Sequence, residues 1–305
     1  MEKQDQLTRV EKLKLLVHFG KKFAEKVSDR YTAACAAQAA FFIMLSVVPI
    51  ISLVLAAATY LPFTQEDVFE LTMNVIPDAF GVYVSDIIND LYAGAGRVVI
   101  SVSLIATLWS ASTGIMSLMN GFNSMYQVRQ DVGYVKLRLL ALWYTVIVIV
   151  LLAITISIYV VVSHYYGAYI HAVVAKGSTM GNALWFIRYI LGWLLFYSFI
   201  LMLYVILPGG FGLPKDKEEH LNLGRRIKSQ MPGAAFCSVA WLLISRLVIL
   251  YMQHFSNISL MYGSLAGIVI LMLWLYFCMF FLFIGAIINY LLSNGYLTRV
   301  KKMLQ

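Results

Sequence analysis

The 305-residue chain is too apolar for an ordinary water-soluble domain, because 61% of its residues are hydrophobic and only 12% are charged. Soluble proteins carry roughly 25% charged residues, so this composition predicts a polytopic membrane protein. The net charge of +8 does not by itself indicate nucleic-acid binding, because its meaning depends on which side of the membrane carries the basic residues. We expect no nucleic-acid partner.

The first segment, residues 1–33, is predicted to form a cytoplasmic amphipathic helix, because apolar residues recur at helical spacing with lysines between them. Two interpretations stay open for it. The helix lies on the membrane surface, where anionic lipid headgroups attract each Lys or Arg by about 1 kcal/mol, or it packs on the cytoplasmic loops as a solvated helix.

Six apolar runs are long enough to cross about 30 Å of hydrocarbon. They contain two formal charges in 151 residues and predict an all-α, six-transmembrane-helix bundle within residues 34–292, with spans at 34–61, 98–118, 139–162, 184–207, 233–254 and 261–292. Helices are expected because each one satisfies its own backbone hydrogen bonds where no water is present.

The basic residues fix the predicted orientation. Alternate segments outside the spans carry 19 Lys and Arg residues against 2 in the others. Because basic residues stay inside, both termini are predicted to be cytoplasmic. Residues 62–97 are then an outer segment, 208–232 a cytoplasmic loop and 293–305 a basic cytoplasmic tail, and anionic lipid headgroups are the expected partners of the cytoplasmic face.

Several phrases occur in a distinctive order: AAFFIMLSVVP at 39–49, LWSAS at 108–112 and YGSLAG at 262–267. With them, the chain resembles the YihY/BrkB membrane-protein family over about residues 25–292. The resemblance implies a multi-pass protein of the bacterial plasma (inner) membrane. The family has been labelled ribonuclease BN and virulence factor, and some members are connected with lipid or envelope transport.

One phrase departs from the family pattern. Where the family often has Gly-Ala-Glu-x-Asn, this chain has Ile287 in the acidic position, within the run from Gly285 to Asn289. A proton-coupled role for that carboxylate is therefore not expected here.

Arg246 is the most unusual residue within a span. Arginine costs roughly 2.5–3.5 kcal/mol on membrane-insertion scales, so it usually faces a cavity or a partner. Its place, about 21 Å from the cytoplasmic start of the fifth span, allows two interpretations. The guanidinium contacts an anion or a lipid headgroup, or it reaches outward to the interface as a structural residue.

Polar side chains form a stripe along the second span. Ser110, Thr113, Ser117 and Asn120 follow at steps of three and four, and Ser124 continues them. This face either lines a hydrated path or joins helices through hydrogen bonds. Gln38 in the first span and Asn289 in the sixth also need partners and fit both interpretations.

Backbone features suggest a bend and a close helix contact. Pro49 removes the hydrogen bond to the carbonyl of Leu45, which predicts a kink in the first span. Gly263 and Gly267 form a small-xxx-small pair, for which close helix packing is the ordinary explanation.

Enzyme signatures are weak. No acid lies in any span, and the five histidines are scattered, so neither a catalytic residue nor a metal site is predicted. No phosphate-binding glycine loop occurs, and no cofactor is expected. Ribonuclease activity is accordingly not expected.

The sequence therefore predicts a transporter or lipid-handling protein for an anionic or amphipathic solute. Arg246, the stripe of the second span and the Pro49 kink would surround its cavity. The alternative is a non-transporting membrane scaffold or envelope-assembly factor, and a homo-oligomer or an unidentified membrane partner is compatible with either function.

Overall fold

The computed structural model describes residues 20–21, 23–58, 65–66, 69, 85–86, 88–89, 97–128, 133–173, 179–208, 223–254 and 264–293. Within them lie six long helices: α1 Thr32–Ala58, α2 Arg97–Tyr126, α3 Tyr134–Val173, α4 Thr179–Ile206, α5 Leu223–His254 and α6 Ser264–Ser293. A short helical segment at 23–29 precedes α1, and no strand occurs in this part of the chain. The predicted all-α class is confirmed.

Each predicted span coincides with one long helix, although several helices extend further. The second helix continues past residue 118 to Tyr126, and α5 begins at Leu223 instead of 233. Hydropathy locates only the part of a helix that prefers lipid, whereas backbone hydrogen bonding continues into the polar flanks. The ends of these helices were therefore harder to predict than their approximate positions.

Four stretches of the described residues are long and apolar enough to cross a membrane: Tyr134–Leu152, Tyr189–Ile206, Gly224–Gln253 and Gly267–Ser293. Thr32–Ser46 is a shorter apolar helix by the same measure. These stretches identify a membrane protein. Six crossings and cytoplasmic termini stay predictions.

Consecutive helices are neighbours, and α6 closes the arrangement. Each helix from α1 to α4 packs against the next helix in the chain: α1 with α2, α2 with α3, α3 with α4 and α4 with α5. The last helix contacts α5, α1 and α2. Its C-terminal half is buried for this reason, and Phe122 of α2 meets Tyr204 and Phe283 there at ring-centroid distances of 5.6 and 5.5 Å.

A close helix crossing joins α5 and α6 at Gly233 and Gly285. A Cβ atom built on Gly285 would lie 2.7 Å from the carbonyl oxygen of Gly233 and would also overlap the Tyr204 hydroxyl. Only glycine permits this approach of two backbones. By contrast, a Cβ on Gly267 would meet no atom within 4 Å, so this glycine makes no close contact within the described residues. Gly263 lies outside them.

Two residues adopt the left-handed backbone conformation, each next to a helix end. Gln127 has φ 56° at the end of α2, where the Val128 amide donates to the Asn123 carbonyl at 2.9 Å. This is the six-to-one bond of a Schellman motif. Tyr31, with φ 51°, separates the helical segment 23–29 from α1. Both turns lie at the end of the bundle where α6 terminates.

Candidate functional site

A buried polar network joins α2, α5 and α6, and we name it the Asn289 cluster: Tyr126, Gln230, Gly233 and Asn289. The Gly233 amide donates to Asn289 Oδ1 at 2.6 Å, and Asn289 Nδ2 donates to the Tyr126 hydroxyl at 3.5 Å. That hydroxyl donates to Gln230 Oε1 at 2.6 Å. Asn289 is fully buried, so the network satisfies polar groups that no water reaches.

Local chain geometry explains why these groups meet. Pro232 lies inside α5 and has no amide hydrogen, so the helix ladder is interrupted beside Gly233. The glycine also lets α6 approach, which brings Asn289 within reach of the Gly233 amide. Near the start of α5, Arg226 bonds to the C-terminal end of α4, where its Nη2 donates to the Val205 carbonyl at 2.7 Å. That bond satisfies one of the unpaired carbonyls at the end of α4.

Two buried arginines each stack on an aromatic ring. Arg138 of α3 lies 4.3 Å from the Trp109 ring centroid, and its Nη2 donates to the Trp109 carbonyl at 2.8 Å and to Thr113 Oγ1 at 3.0 Å. Arg30, just before α1, lies 4.3 Å from the Tyr290 ring centroid. Its three guanidinium nitrogens are buried and have no hydrogen-bond partner.

Burial lowers the pKa of the Arg30 guanidinium, and Tyr290 and the neighbouring Asp29 oppose that shift. An arginine pKa starts so far above neutrality that the group stays charged at pH 7. The Arg30 side chain is therefore a buried cation without a hydrogen-bonded counter-charge.

The predicted polar stripe of α2 makes contacts on several sides. The Ser110 carbonyl accepts a 3.2 Å bond from Ser46 of α1, Thr113 accepts the bond from Arg138, and Ser124 donates to the Arg30 carbonyl at 3.5 Å. Ser117 is buried and Asn120 is half-buried. Bonds of this kind join helices, so they favour the packing interpretation of the stripe.

The other predicted residues lie apart from that network. Arg246 is exposed on α5, about 20 Å along the helix from Gly233, at which α5 joins the Asn289 cluster. Gln38 is exposed on α1, and Pro49 lies inside the same helix. The side-chain surroundings of Pro49 are outside the described residues. A cavity shared by Arg246, the stripe and the kink stays a prediction.

Sequence reasoning identified Asn289 and missed its partners. Tyr126 and Gln230 lie outside the predicted spans, and Gly233 was not singled out although it follows a proline. Arg30 and Arg138 looked like ordinary positive charges beside spans. The detectable signal was Pro232-Gly233 at a span start, since a glycine there permits a close crossing.

Within the portion of the chain that the structure describes, no group of three or more His, Cys, Asp or Glu residues could hold a metal ion.

Comparison with known proteins identifies the family. Residues 23–303 match the family described as Virulence factor BrkB, and the chain belongs to that family. It is 27% identical over 284 residues to the ribonuclease-like protein YfkH of Bacillus subtilis (strain 168), an alignment that covers 89% of this chain and 95% of YfkH. No solved structure matches the chain.

Proposed function

We propose that this BrkB family member is a lipid-handling protein of the bacterial plasma (inner) membrane, which moves an anionic phospholipid between leaflets. The observation that carries the proposal is the place of Arg246. It is exposed on an apolar flank of α5, where Leu243 and Leu247 are 61% and 60% exposed. A cation among exposed leucines faces the acyl region of the lipid rather than the protein interior.

An arginine at such a place needs a counter-charge. No hydrogen bond or ion pair of Arg246 occurs within the described residues, and insertion into lipid costs roughly 2.5–3.5 kcal/mol. A phospholipid phosphate supplies two oxygens that match the guanidinium fork, and its acyl chains match the surrounding leucines. An amphipathic anion therefore fits this flank better than a small hydrated ion, which would have to lose its water.

The proposal includes no catalytic step. YfkH carries a ribonuclease-like name, and that name is a property of the relative. RNA cleavage by this chain would need groups that activate water, and no acidic or histidine cluster is found among the described residues, so we propose lipid handling instead.

The test is lipid exchange in proteoliposomes. The purified chain is reconstituted into vesicles that contain a trace of fluorescent phosphatidylglycerol or fluorescent phosphatidylcholine, and dithionite bleaching measures how fast inner-leaflet lipid becomes accessible. We expect wild type to accelerate phosphatidylglycerol exchange more than phosphatidylcholine exchange. Arg246→Gln should slow it by about tenfold, which corresponds to roughly 1.4 kcal/mol.

Matched variants make the result specific. Arg246→Lys keeps the positive charge and should retain part of the activity, whereas Arg225→Gln removes an exposed arginine at the start of the same helix and should leave the rate unchanged. Equal rates for vesicles with and without wild-type protein would contradict the proposed function. An Arg246→Gln rate equal to wild type would remove that residue from the mechanism.

A further inference from the structure

Arg30 is a buried cation whose guanidinium makes no well-formed hydrogen bond. The residue is 5% exposed, and Nε, Nη1 and Nη2 are all buried and unpartnered. The guanidinium carbon lies 4.3 Å from the centroid of the Tyr290 ring, and Tyr290 and Asp29 both favour the charged form. Asp29 is next to it in sequence but exposed, and no Asp29 oxygen accepts a hydrogen bond from the guanidinium. Such a group in a native protein calls for an explanation.

Cation–π stacking compensates only part of what burial removes. A guanidinium has five N–H donors in one plane, and a ring stacked on that plane leaves its edge donors unbonded. Arg138 shows the difference within this molecule. It stacks on Trp109 at the same 4.3 Å distance and in addition donates to a carbonyl and to a hydroxyl. The Arg30 guanidinium makes no such bond, so its edge donors are unsatisfied in the structure.

The surroundings of Arg30 favour an anion as that acceptor. The residue lies two positions before Thr32, where α1 begins, and the first amides of a helix have no partner within it and carry partial positive charge. The sequence that leads to it carries three lysines, at positions 21, 22 and 26, against two acids, Glu25 and Asp29. Ser28, Asp29 and Tyr31 beside it are all exposed, so a short surface segment separates the guanidinium from the surroundings.

We propose that Arg30 binds a phosphoryl oxyanion at the junction of segment 23–29 and α1, with Tyr290 supporting one face of the guanidinium. A phosphate oxygen pair matches the two N–H donors on the guanidinium edge. The source is inorganic phosphate or the headgroup of an anionic phospholipid, since both present the same oxygens. The anion reaches the guanidinium only when segment 23–29 shifts, and Thr32 Oγ1 donates to the Val27 carbonyl at 2.8 Å across that junction. This site lies on a different helix from Arg246 and does not rest on the proposed lipid exchange.

The experiment measures binding by the full-length chain purified in a non-ionic detergent. Thermal unfolding is followed while inorganic phosphate, or short-chain phosphatidylglycerol, is titrated at constant ionic strength. Native mass spectrometry then counts phosphatidylglycerol molecules retained by the protein. We expect a saturable rise of the unfolding midpoint with at least one probe, and the probe that acts at the lower concentration identifies the source.

Three variants separate a binding role from a structural one. Arg30→Met keeps an apolar stem against Tyr290 and should abolish the ligand-induced shift. Its midpoint without ligand should equal or exceed that of wild type, because an uncompensated buried charge is gone. Arg30→Lys keeps the charge without the fork and should weaken binding by about tenfold. Lys228→Gln, at an exposed position of α5, should bind as wild type does.

The absence of a saturable shift with both probes would overturn the proposal. So would an Arg30→Met protein that is less stable without ligand and still shows the wild-type shift, because Arg30 would then be a structural residue. If Arg30→Met does not fold, the wild-type titration and Arg30→Lys decide the matter. If Arg30→Lys binds the probe with the affinity of wild type, recognition of the phosphate by the paired N–H donors of the guanidinium would be contradicted.

Discussion

Polar groups of α5 are buried and hydrogen-bonded in the Asn289 cluster, whereas Arg246 of the same helix is exposed on an apolar flank. In the cluster, Gly233 and Gln230 have partners on neighbouring helices, and Asn289 is fully buried. About 20 Å further along the same helix, Arg246 is exposed among leucines. Polar groups that neighbouring helices satisfy hold the bundle together, whereas Arg246 on an apolar outer face has no hydrogen-bond partner among the described residues.

The largest expected effect concerns the glycine crossing. Gly285→Val should prevent folding or destabilise the protein by at least about 3 kcal/mol, since the added carbons overlap the Gly233 carbonyl and the Tyr204 hydroxyl. Size-exclusion chromatography in detergent should show aggregate. Gly267→Val is the matched control on the same helix, where an added Cβ meets open space. Equal behaviour of the two variants would contradict the close α5–α6 crossing.

The next effect tests the hydrogen bonds of the cluster. Asn289→Leu should destabilise the protein by about 1–2 kcal/mol, because the Gly233 amide and the Tyr126 hydroxyl lose a buried partner. Thermal unfolding in detergent measures the change. Gln38→Leu also removes an amide from a predicted span, but that residue is exposed, and its unfolding midpoint should stay at the wild-type value. A neutral Asn289→Leu would show that the network contributes no stability.

A smaller effect concerns the arginine between α2 and α3. Arg138→Met should cost about 1 kcal/mol, because its donors to the Trp109 carbonyl and Thr113 are lost while the stem still contacts the ring. Thr113→Val removes one acceptor of the same pair. The double variant should be less destabilised than the two single changes together, since both remove one shared bond. Strict additivity would mean that the bond carries no energy.

The smallest effect on stability is expected at Arg246. Arg246→Gln should change the free energy of unfolding by less than about 0.5 kcal/mol, as exposed substitutions usually do. Lipid exchange by the same preparation should nevertheless fall. If stability and exchange fall together, the comparison between the cluster and the flank fails, because Arg246 would then be part of the packing.

The sequence by itself determined the class of structure and the approximate helices. Apolar runs of sufficient length required helices in lipid, and phrases such as LWSAS at 108–112 indicated the family. Hydropathy did not locate the true end of α2 at Tyr126 or the start of α5 at Leu223. The flanks of these helices are polar, and a polar flank looks like a loop in a hydropathy pattern.

Only the tertiary structure decided which polar residues have partners. The period of the second span predicted a common face for Ser110, Thr113 and Ser124, but it did not show that different neighbouring helices bond to them. Small-residue spacing suggested Gly267, whereas the backbones meet at Gly233 and Gly285. Burial of Arg30 depends on Tyr290, which is 260 residues away in the chain. Such contacts arise from the packing of distant segments, and a local pattern of residue types carries no information about which segment packs opposite it.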